Sequence, residues 1–326
     1  MKNSRARRLL RPLIGKIERE LVPEASRVAE ARQRARRLID DLGAMRDATM
    51  FRVERLLPHG SHCRDTAIAG FKDIDYLVVL DPNELRTREG MPRTARDTVA
   101  RLAQMIRKRR GGLVAQGTVE VRAQEHSVGV KYPAAHLRVD LVPALSTEEQ
   151  GCYLIPNRLV DDWIETRPHR LKRWLTRAEK SNQHVRAAIR LAKGWRRARG
   201  KAMQVPSYAL ELILIAMAAD GEPDLDGLVY AFFDRIAEAH AGQRLVLLGD
   251  ADRTPITVRD PGSDVNVAAE LDAGHRARLV ENARRALDDI DEAAWLAEQG
   301  RDRGALGVLR RLFVGNYDSN MEASEA

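Results

Sequence analysis

The sequence predicts an α+β chain in which an N-terminal half containing strands is followed by a helical C-terminal half. Residues 74–80 form an apolar run with β-branched and aromatic side chains, which is typical of a buried strand. Residues 136–142 alternate polar and apolar side chains, which is typical of a half-buried strand. The second half of the chain has mostly helical periodicity. We therefore expect one domain over residues 1–150 and a second, helical domain over residues 151–326.

The chain is predicted to open with two helices. The first covers residues 3–20, and Pro23 separates it from a second helix that runs from Glu24 to about Leu57. Apolar side chains recur along the second helix at intervals of three and four residues, the stripe of a helix that lies on a core. These residues are Leu38, Leu42, Met45, Thr49, Val53 and Leu56. This helix would end immediately before Gly60.

The remaining elements of the first half follow from the same patterns. We expect a helix over residues 95–109 and two further strands over residues 118–122 and 127–132. Residues 151–168 are interpreted as ordered crossing loops.

In the second half, residues 180–199 form a strongly basic predicted helix. A helix that opens near Pro206 is apolar on all sides over residues 212–219 and should therefore be buried. Residues 254–268 predict a short strand and a turn closed by an asparagine. Residues 270–313 return to helix, and a disordered tail is expected from about residue 318.

Composition limits the classes of function. The 326 residues contain 55 Lys and Arg against 47 Asp and Glu, a net charge of +8, which favours anionic partners such as nucleotides. Cys63 and Cys152 are the two cysteines and have no ligand-like spacing, so a disulfide framework and a zinc site are not expected. The first 20 residues lack the apolar core of a signal peptide, and the longest apolar run is too short to span a bilayer. A cytoplasmic protein without a membrane association is the resulting expectation.

The candidate site begins with two acids, Asp73 and Asp75, at the start of the strand over residues 74–80. Residues i and i+2 of a strand point to the same face, so the two carboxylates should project side by side. A shared divalent cation resolves their repulsion, and oxygen ligands of this kind suit Mg²⁺. The preceding Gly60-Ser61 turn could donate backbone and hydroxyl groups to phosphate oxygens. An isolated Asp-x-Asp is usually two exposed acids, but here the pair follows Gly-Ser in the order that a phosphate and metal site needs.

Asp140 is the candidate third metal ligand, since it is a carboxylate on the predicted half-buried strand over residues 136–142. The alternative is an ion pair with Arg138, its neighbour on the same face. Taken without context, the ion pair is the simpler interpretation. The basic stripe of the helix over residues 180–199 is likewise more often a solvated face than a phosphate site, and Ser207 near a helix start is ordinarily a cap.

Together, these motifs resemble the active-site signature of the polymerase-β-like nucleotidyltransferase superfamily. The residues that carry this resemblance are Gly60, Ser61, Arg64, Thr66, Asp73-Ile74-Asp75 and the run from Val139 to Leu145. A second set resembles the oligoadenylate-synthase-like branch, and it consists of Lys193-Gly194-Trp195, the run from Pro206 to Glu211, and Asp260-Pro261 followed by Asn266. Within that branch, the chain is similar over about residues 38–315 to the bacterial CD-NTases. These are relatives of animal cyclic GMP-AMP synthase and make cyclic oligonucleotide alarm signals in antiphage operons.

The resemblance implies a catalytic lobe with a mixed curved sheet and a helical lobe, with nucleotides bound between them. It implies that Asp73, Asp75 and Asp140 hold two Mg²⁺ ions, with Mn²⁺ as a possible substitute, for phosphodiester formation with release of pyrophosphate. The residues implied to bind the nucleotide are Gly60, Ser61, Arg64, Thr66, Lys193, Ser207, Tyr208, Asp260 and Asn266. Of these, Lys193 and Ser207 would hold the triphosphate from the helical lobe, and Tyr208 would stack on a base.

The implied partners are nucleoside triphosphates, an effector that reads the product and regulatory proteins from the same operon, with no requirement for nucleic acid. The chain departs from the family pattern at His62-Cys63 and at Asp65, an extra acid near the phosphate. Two alternatives remain open: an RNA- or tRNA-tailing transferase, and a catalytically silent nucleotide- or RNA-binding module. The presence of all three carboxylates disfavours the second.

Overall fold

The computed structural model describes residues 4–43, 51–81, 93–108, 119–200, 203–220, 224–239, 244–251 and 253–315. It divides into two compact units, one formed by residues 1–22 and 171–326 and the other by residues 23–170. This division differs from the expected boundary near residue 150, and it places the N-terminal helix with the C-terminal helices. The tail expected from about residue 318 lies outside the described residues.

The unit of residues 23–170 is built on a mixed sheet in the order β1-β2-β5-β4-β3, to which β6 and β7 add a hairpin beside β5. β2 and β5 run parallel, and the other pairs are antiparallel. The strands are β1 (Val53–His59), β2 (Asp73–Leu80), β3 (Glu120–Ala123), β4 (Val128–Tyr132), β5 (Leu137–Ser146), β6 (Tyr153–Asn157) and β7 (Asp162–Thr166). Two helices belong to this unit, α2 (Ala25–Gly43) and α3 (Ala95–Lys108).

One face of this sheet forms the main core with α2 and α3. Ile74 and Val78 of β2 and Val139 of β5 are buried there with Leu38 of α2 and Leu102 of α3. The alternate residues of the two strands point to the opposite face, where a smaller apolar cluster forms from Leu77, Val79, Val142, Ala144 and Tyr153. Asp73, Asp75 and Asp140 share the periodicity of this second face. The sheet therefore presents its acids on the side away from the main core.

The other unit is helical. Its helices are α1 (Ser4–Leu21), α4 (Pro168–Ser181, whose first residues belong to the sheet unit), α5 (Val185–Ala198), α6 (Ser207–Asp220), α7 (Leu225–Ala237), α8 (Ala273–Glu298) and α9 (Asp302–Phe313). A short parallel pair, β8 (Leu245–Leu248) and β9 (Ile256–Val258), completes it. The body of α6 is buried on nearly all sides, as its apolar sequence predicts.

Trp195 on α5 anchors the core of the helical unit. It is fully buried, and its ring centroid lies 5.0 Å from that of Phe233 and 6.1 Å from that of Phe232, in edge-to-face contacts. The preceding residue must be glycine for packing reasons, because a Cβ at Gly194 would lie 2.4 Å from the carbonyl oxygen of Phe313. The Gly194-Trp195 pair therefore has a packing role.

α1 belongs to the helical unit through both apolar and charged contacts. Leu10, Ile14, Ile17 and Leu21 are fully buried, a stripe at helical spacing. Arg190 of α5 donates to Glu18 at 2.6 Å, and Arg310 of α9 donates to Glu20 at 2.6 and 3.0 Å. The first helix of the chain thus packs against helices that come from its second half.

Several expectations about local structure are wrong. The helix predicted to reach Leu57 is described as far as Gly43, and residues 53–59 form β1 instead of helix. Residues 44–50, with Met45 and Thr49, lie outside the described residues. Pairing of β1 with β2 outweighs the helical spacing of Val53 and Leu56. Residues 151–168 contain the β6–β7 hairpin instead of crossing loops.

The helix expected over residues 180–199 is confirmed over Val185–Ala198, but its predicted start is wrong, because the chain breaks between α4 and α5. The side-chain oxygen of Asn182 accepts a hydrogen bond from the backbone N–H of His184 at 2.8 Å, a local bond that competes with helix continuation. The helix expected over residues 270–313 is confirmed as α8 and α9, with a break at Gly300 (φ 68°). No helix within the described ranges is both long and apolar enough to cross a bilayer.

Candidate active site

The parallel pairing of β2 and β5 brings the predicted acids together. Asp75 lies directly opposite Asp140 in the register, and Asp73 lies opposite Arg138. Directly opposed residues of neighbouring strands point to the same face, so Asp73, Asp75 and Asp140 occupy one patch of the sheet surface. Asp140 is buried, with 6% of its surface exposed, whereas the side chain of Asp73 is 50% exposed. The patch therefore extends from the protein interior to solvent.

The site disfavours negative charge on Asp75. Burial, then the nearby charges of Asp73 and Asp140, raise the pKa of Asp75 to about 7, although Arg64 and Arg138 oppose the shift. Burial also raises the pKa of Asp140, and the ion pair with Arg138 only partly offsets it. A nearby cation would therefore favour the ionised forms of Asp75 and Asp140.

In the described structure, Arg138 supplies that positive charge. Its Nε donates to Oδ2 of Asp140 at 3.0 Å and lies 2.8 Å from Oδ1, while another guanidinium nitrogen donates to Asp73 at 3.1 Å. The ion pair that the sequence offered as the simpler interpretation of Asp140 is thus present, and it extends to Asp73. Arg138 bridges two of the three acids.

The donor set fits a divalent cation. Three carboxylates on one face are hard oxygen ligands, and the raised pKa values of Asp75 and Asp140 indicate that the charge of these two acids lacks full compensation. Among the described residues, no three Asp, Glu, His or Cys side chains converge closely enough to hold a metal in the present arrangement. Movement of Arg138 away from Asp73 and Asp140 would open both for a metal.

The loop that precedes β2 lies against these acids. Gly60 has φ 73°, and residues 61–64 form one turn of 3₁₀ helix. Thr66 is fully buried, and its backbone N–H donates to the carbonyl oxygen of Ser61 at 3.1 Å, which closes the loop. Arg64 is also buried, and its charge is one of those that act on Asp75. Gly60, Ser61, Arg64 and Thr66 are therefore brought to one side of the acidic patch.

Sequence patterns did not explain His62 and Cys63. The His62 ring packs edge-to-face on Phe71 with 4.1 Å between ring centroids, and the Cys63 thiol donates to the carbonyl oxygen of Gly60 at 3.2 Å. Both residues thereby stabilise the loop itself. Asp65, the acid that departs from the family pattern, is exposed and has φ 55° at the end of the 3₁₀ turn.

In the helical unit, Lys193 is buried and its ammonium group donates to the carboxylate of Glu211 on α6. The two residues lie 18 positions apart, so no local pattern indicated this pair. Two other basic residues of α5 also have acidic partners, since Arg186 binds Glu179 at 2.7 Å and Arg190 binds Glu18. The stripe predicted on this helix is largely an ion-paired surface.

Ser207 and Tyr208 are the first two residues of α6, and both are partly exposed. The N-terminus of a helix presents backbone N–H groups and a positive dipole end, which suits an anion. The contacts of Ser207 to a phosphate and of Tyr208 to a base stay predictions.

Asp260 and Asn266 both stabilise the turn over residues 254–268. The sequence predicted this role for Asn266 but not for Asp260. Asp260 accepts from the backbone N–H of Gly262 at 2.8 Å and from the Ser263 hydroxyl at 3.1 Å, and so closes a turn. The Asn266 amide nitrogen donates to Thr254 and to the Ile256 carbonyl, and its oxygen accepts from Val258 and Ala268, all at 2.8–3.0 Å. These bonds use the donors and acceptors of the Asn266 amide.

The mixed sheet with acids on its adjacent parallel strands is that of a polymerase-β-like nucleotidyltransferase. Residues 15–179 match the model of the family described as the Second Messenger Oligonucleotide or Dinucleotide Synthetase domain. This match covers half of the chain, and the chain belongs to that family. The predicted resemblance to the CD-NTases is confirmed, and the protein is a nucleotidyltransferase of the cyclic oligonucleotide synthase type.

Individual relatives agree with this assignment. The cyclic AMP-AMP-AMP synthase of Escherichia coli (strain MS 115-1) is 25% identical over 293 residues, 82% of this chain and 85% of the relative. The structure of E. coli MS115-1 CdnC with ATP is similar with a TM-score of 0.72 at 22% identity, and the match covers 94% of this chain and 98% of that chain. A second similar structure is the complex of E. coli MS115-1 CdnC with HORMA-deltaN. The CD-NTase CdnG of Bradyrhizobium diazoefficiens, in complex with GTP, has a TM-score of 0.65 at 12% identity and covers 92% and 98% of the two chains.

Proposed function

We propose that this chain joins nucleoside triphosphates into a cyclic oligonucleotide without a template, releasing pyrophosphate at each step. The observation that supports the proposal most directly is the common face of Asp73, Asp75 and Asp140, with Asp75 directly opposite Asp140 in the register. Family membership supports the same conclusion. A decayed binding module would have no reason to keep three acids whose mutual repulsion costs stability.

Asp73, Asp75 and Asp140 are proposed to hold two Mg²⁺ ions. When bound, such a pair supplies Lewis-acid stabilisation of the departing pyrophosphate and lowers the pKa of the attacking ribose hydroxyl. Arg138 is the residue that must leave Asp73 and Asp140, and its guanidinium is then available to an anionic group. Nucleotide binding and the release of Arg138 are thereby linked.

The loop of residues 60–66 is proposed to hold the triphosphate. The Asp75 carboxylate fills the space that a side chain at Gly60 would need, so the loop lies directly beside the acids, and the Ser61 hydroxyl can donate to a phosphate there. Arg64 supplies positive charge, and Thr66 fixes the loop. From the helical unit, Lys193 and Ser207 are proposed to bind the triphosphate and Tyr208 the base, with Glu211 holding the Lys193 ammonium group in position. Asp260 and Asn266 are proposed to support nucleotide binding indirectly through the fold of their turn.

We propose that the product is an alarm signal in antiphage (CBASS) defence, read by an effector in the cytoplasm. One E. coli relative is a cyclic AMP-AMP-AMP synthase, and a related structure is a complex of CdnC with HORMA-deltaN. By analogy, an adenine-containing product and a regulatory protein partner are proposed here as well.

The proposal is tested by incubating the purified chain with each nucleoside triphosphate, singly and in mixtures, with Mg²⁺ or Mn²⁺. Mass spectrometry should detect products that resist phosphatase, because a ring has no terminal phosphate. Asp75→Asn and Asp140→Asn should yield none, and Asp97→Asn, an exposed acid on α3, should retain activity as the matched control. Phosphatase-sensitive linear chains, or incorporation only after addition of tRNA, would instead identify a tailing enzyme. Full activity of Asp75→Asn would remove the acids from the mechanism.

A further inference from the structure

A basic cavity lies entirely within the helical unit, and its lining residues fall between Ala239 and Arg284 in the sequence. Its volume is about 470 Å³, within the range of ~300–1,000 Å³ that is typical of small-ligand sites. Its lining residues include Arg244, Arg253, Arg276 and Arg284, and among the lining residues that the structure describes Glu281 is the one acid. Neither the acidic patch of Asp73, Asp75 and Asp140 nor the phosphate loop of residues 60–66 contributes a residue to it. The cavity therefore has its own concentration of positive charge.

Glu281 does little to neutralise that charge, because it forms an ion pair with Arg285, which is not a lining residue, at 2.9 Å. Arg276 is only 8% exposed, so its guanidinium lies in a largely desolvated part of the cavity wall, where water screens its attraction to an anionic ligand less than at the surface.

Two features hold the cavity wall in a fixed geometry. Arg284 donates from Nε to the carbonyl oxygen of Ala237 and from a terminal nitrogen to that of Ala239, each at 3.2 Å. A guanidinium has five N–H donors, so these two bonds orient it and leave others to bind a ligand. The second feature is Thr254, another lining residue, whose hydroxyl accepts a hydrogen bond from the side-chain amide of Asn266 at 2.8 Å. Such preorganisation lowers the entropy cost of binding.

The cavity also includes the first turn of α8, a helix of 26 residues that begins at Ala273. Ala273, Arg276 and Ala277 line it, and the Asp272 carboxylate caps this end of the helix by accepting from the backbone N–H of His275 at 2.8 Å, so the arginines supply the positive charge of the cavity. The small side chains of Ala273 and Ala277 leave the backbone accessible.

We infer that this cavity is a second anion site that binds a small ligand carrying a polyphosphate chain, such as a nucleoside triphosphate or inorganic triphosphate. Arginine pairs with phosphate through two parallel N–H donors, and several guanidinium groups can follow successive phosphates. The inference does not depend on the proposed chemistry of Asp73, Asp75 and Asp140.

The test measures binding of inorganic triphosphate and of ATP to the full chain by calorimetry, with EDTA present so that no metal supports binding at the acids. Arg253→Gln and Arg284→Gln should each weaken binding of both ligands at least about tenfold, the loss of one charge-assisted contact of ~1.4 kcal/mol. Arg278→Gln is the matched control, since it removes the same charge from an exposed position on α8 that is outside the lining. It should bind as the unmodified chain does.

Arg253 is exposed, so its substitution tests the cavity without loss of a buried group, and thermal unfolding checks that each variant is folded. Binding of inorganic triphosphate but not ATP, or of ATP but not inorganic triphosphate, would still place a polyphosphate ligand in the cavity and would identify its source. Binding that is unchanged in Arg253→Gln and Arg284→Gln, or equally weakened in Arg278→Gln, would overturn the inference. So would the absence of binding at millimolar concentration, or displacement by an equal concentration of citrate.

Discussion

Gly60 lies so close to Asp75 that a Cβ added at position 60 would fall 1.9 Å from Oδ2 of that acid. No such contact is tolerated, so a side chain at this position would displace either the loop or the carboxylate. The glycine also has φ 73°, a backbone conformation that other residues adopt at a cost. The phosphate loop and the acidic patch are thus fitted to each other at a single residue.

Gly60→Ala should therefore abolish turnover and destabilise the chain. At φ 73° and ψ −164° the backbone lies in a region that almost only glycine adopts, which costs other residues about 1–3 kcal/mol, and the displaced carboxylate adds to this cost. Gly300→Ala is the matched control, because Gly300 has φ 68° and a Cβ there would meet no atom within 4 Å. Thermal unfolding should show a loss in both variants, larger at Gly60, with activity lost only there. Equal effects would mean that backbone strain alone matters.

Asp75→Asn should stabilise the metal-free chain at high pH. The folded state raises the pKa of Asp75 from 3.8 to about 7, so the protonated acid is favoured by folding. Its contribution to stability is fully present below pH 4 and is lost as pH rises towards 7, by at most about 4 kcal/mol for a shift of this size. With EDTA present, the free energy of unfolding of Asp75→Asn should exceed that of the unmodified chain at pH 8, and the difference should shrink towards pH 4. A constant difference across this range would contradict the assigned environment.

Arg138→Gln should make the chain less stable without metal and more responsive to metal. Asp73 and Asp140 lose their bridging charge, which should cost about 1–3 kcal/mol without metal at pH 8. The same change removes the group that competes with Mg²⁺, so Mg²⁺ should raise the unfolding temperature more than in the unmodified chain. Arg122→Gln, an exposed arginine on β3, serves as control. An unaltered response to Mg²⁺ would separate Arg138 from the metal site.

Lys193→Ala should affect both stability and triphosphate binding. Removing Lys193 leaves Glu211 buried without this partner, which costs on the order of 3–5 kcal/mol. The double variant Lys193→Met with Glu211→Leu should restore much of the stability, because it removes both charges. If Lys193 also binds triphosphate, the restored variant still has a raised Michaelis constant, whereas Arg197→Ala has a nearly normal one. A normal constant in the double variant would assign Lys193 a purely structural role.

The sequence predicted the central features of the fold because they depend on short-range patterns. Asp73 and Asp75 on one face follow from the period of a strand, and the buried body of α6 follows from its uniform apolar composition. β1 could not be predicted in this way, since Val53 and Leu56 also fit a helix and only pairing with β2 decides between the two. The β6–β7 hairpin depends on the same kind of long-range pairing.

In the candidate site, too, short-range patterns identified some features and long-range contacts determine the others. The three acids were identified from motifs, but the bridge from Arg138 to Asp73 spans 65 residues and needs the parallel register of β2 and β5. The pair between Lys193 and Glu211 likewise depends on helix packing, and the hydrogen bonds of Asn266 converge from residues 254 to 268. Spacing indicates which residues share a face, whereas partners distant in sequence require the fold.

The position of α1 has a consequence for the order in which the chain folds during translation. Its buried stripe and the acids Glu18 and Glu20 pack against helices whose last member, α9, ends at residue 313. The sheet unit of residues 23–170 is continuous and can fold as soon as it leaves the ribosome, since domains generally fold as units. α1 is synthesised before the sheet unit and yet must wait, with its apolar face uncovered, until α9 has emerged. A ribosome stalled after residue 200 would therefore carry a folded sheet unit and an N-terminal helix accessible to protease.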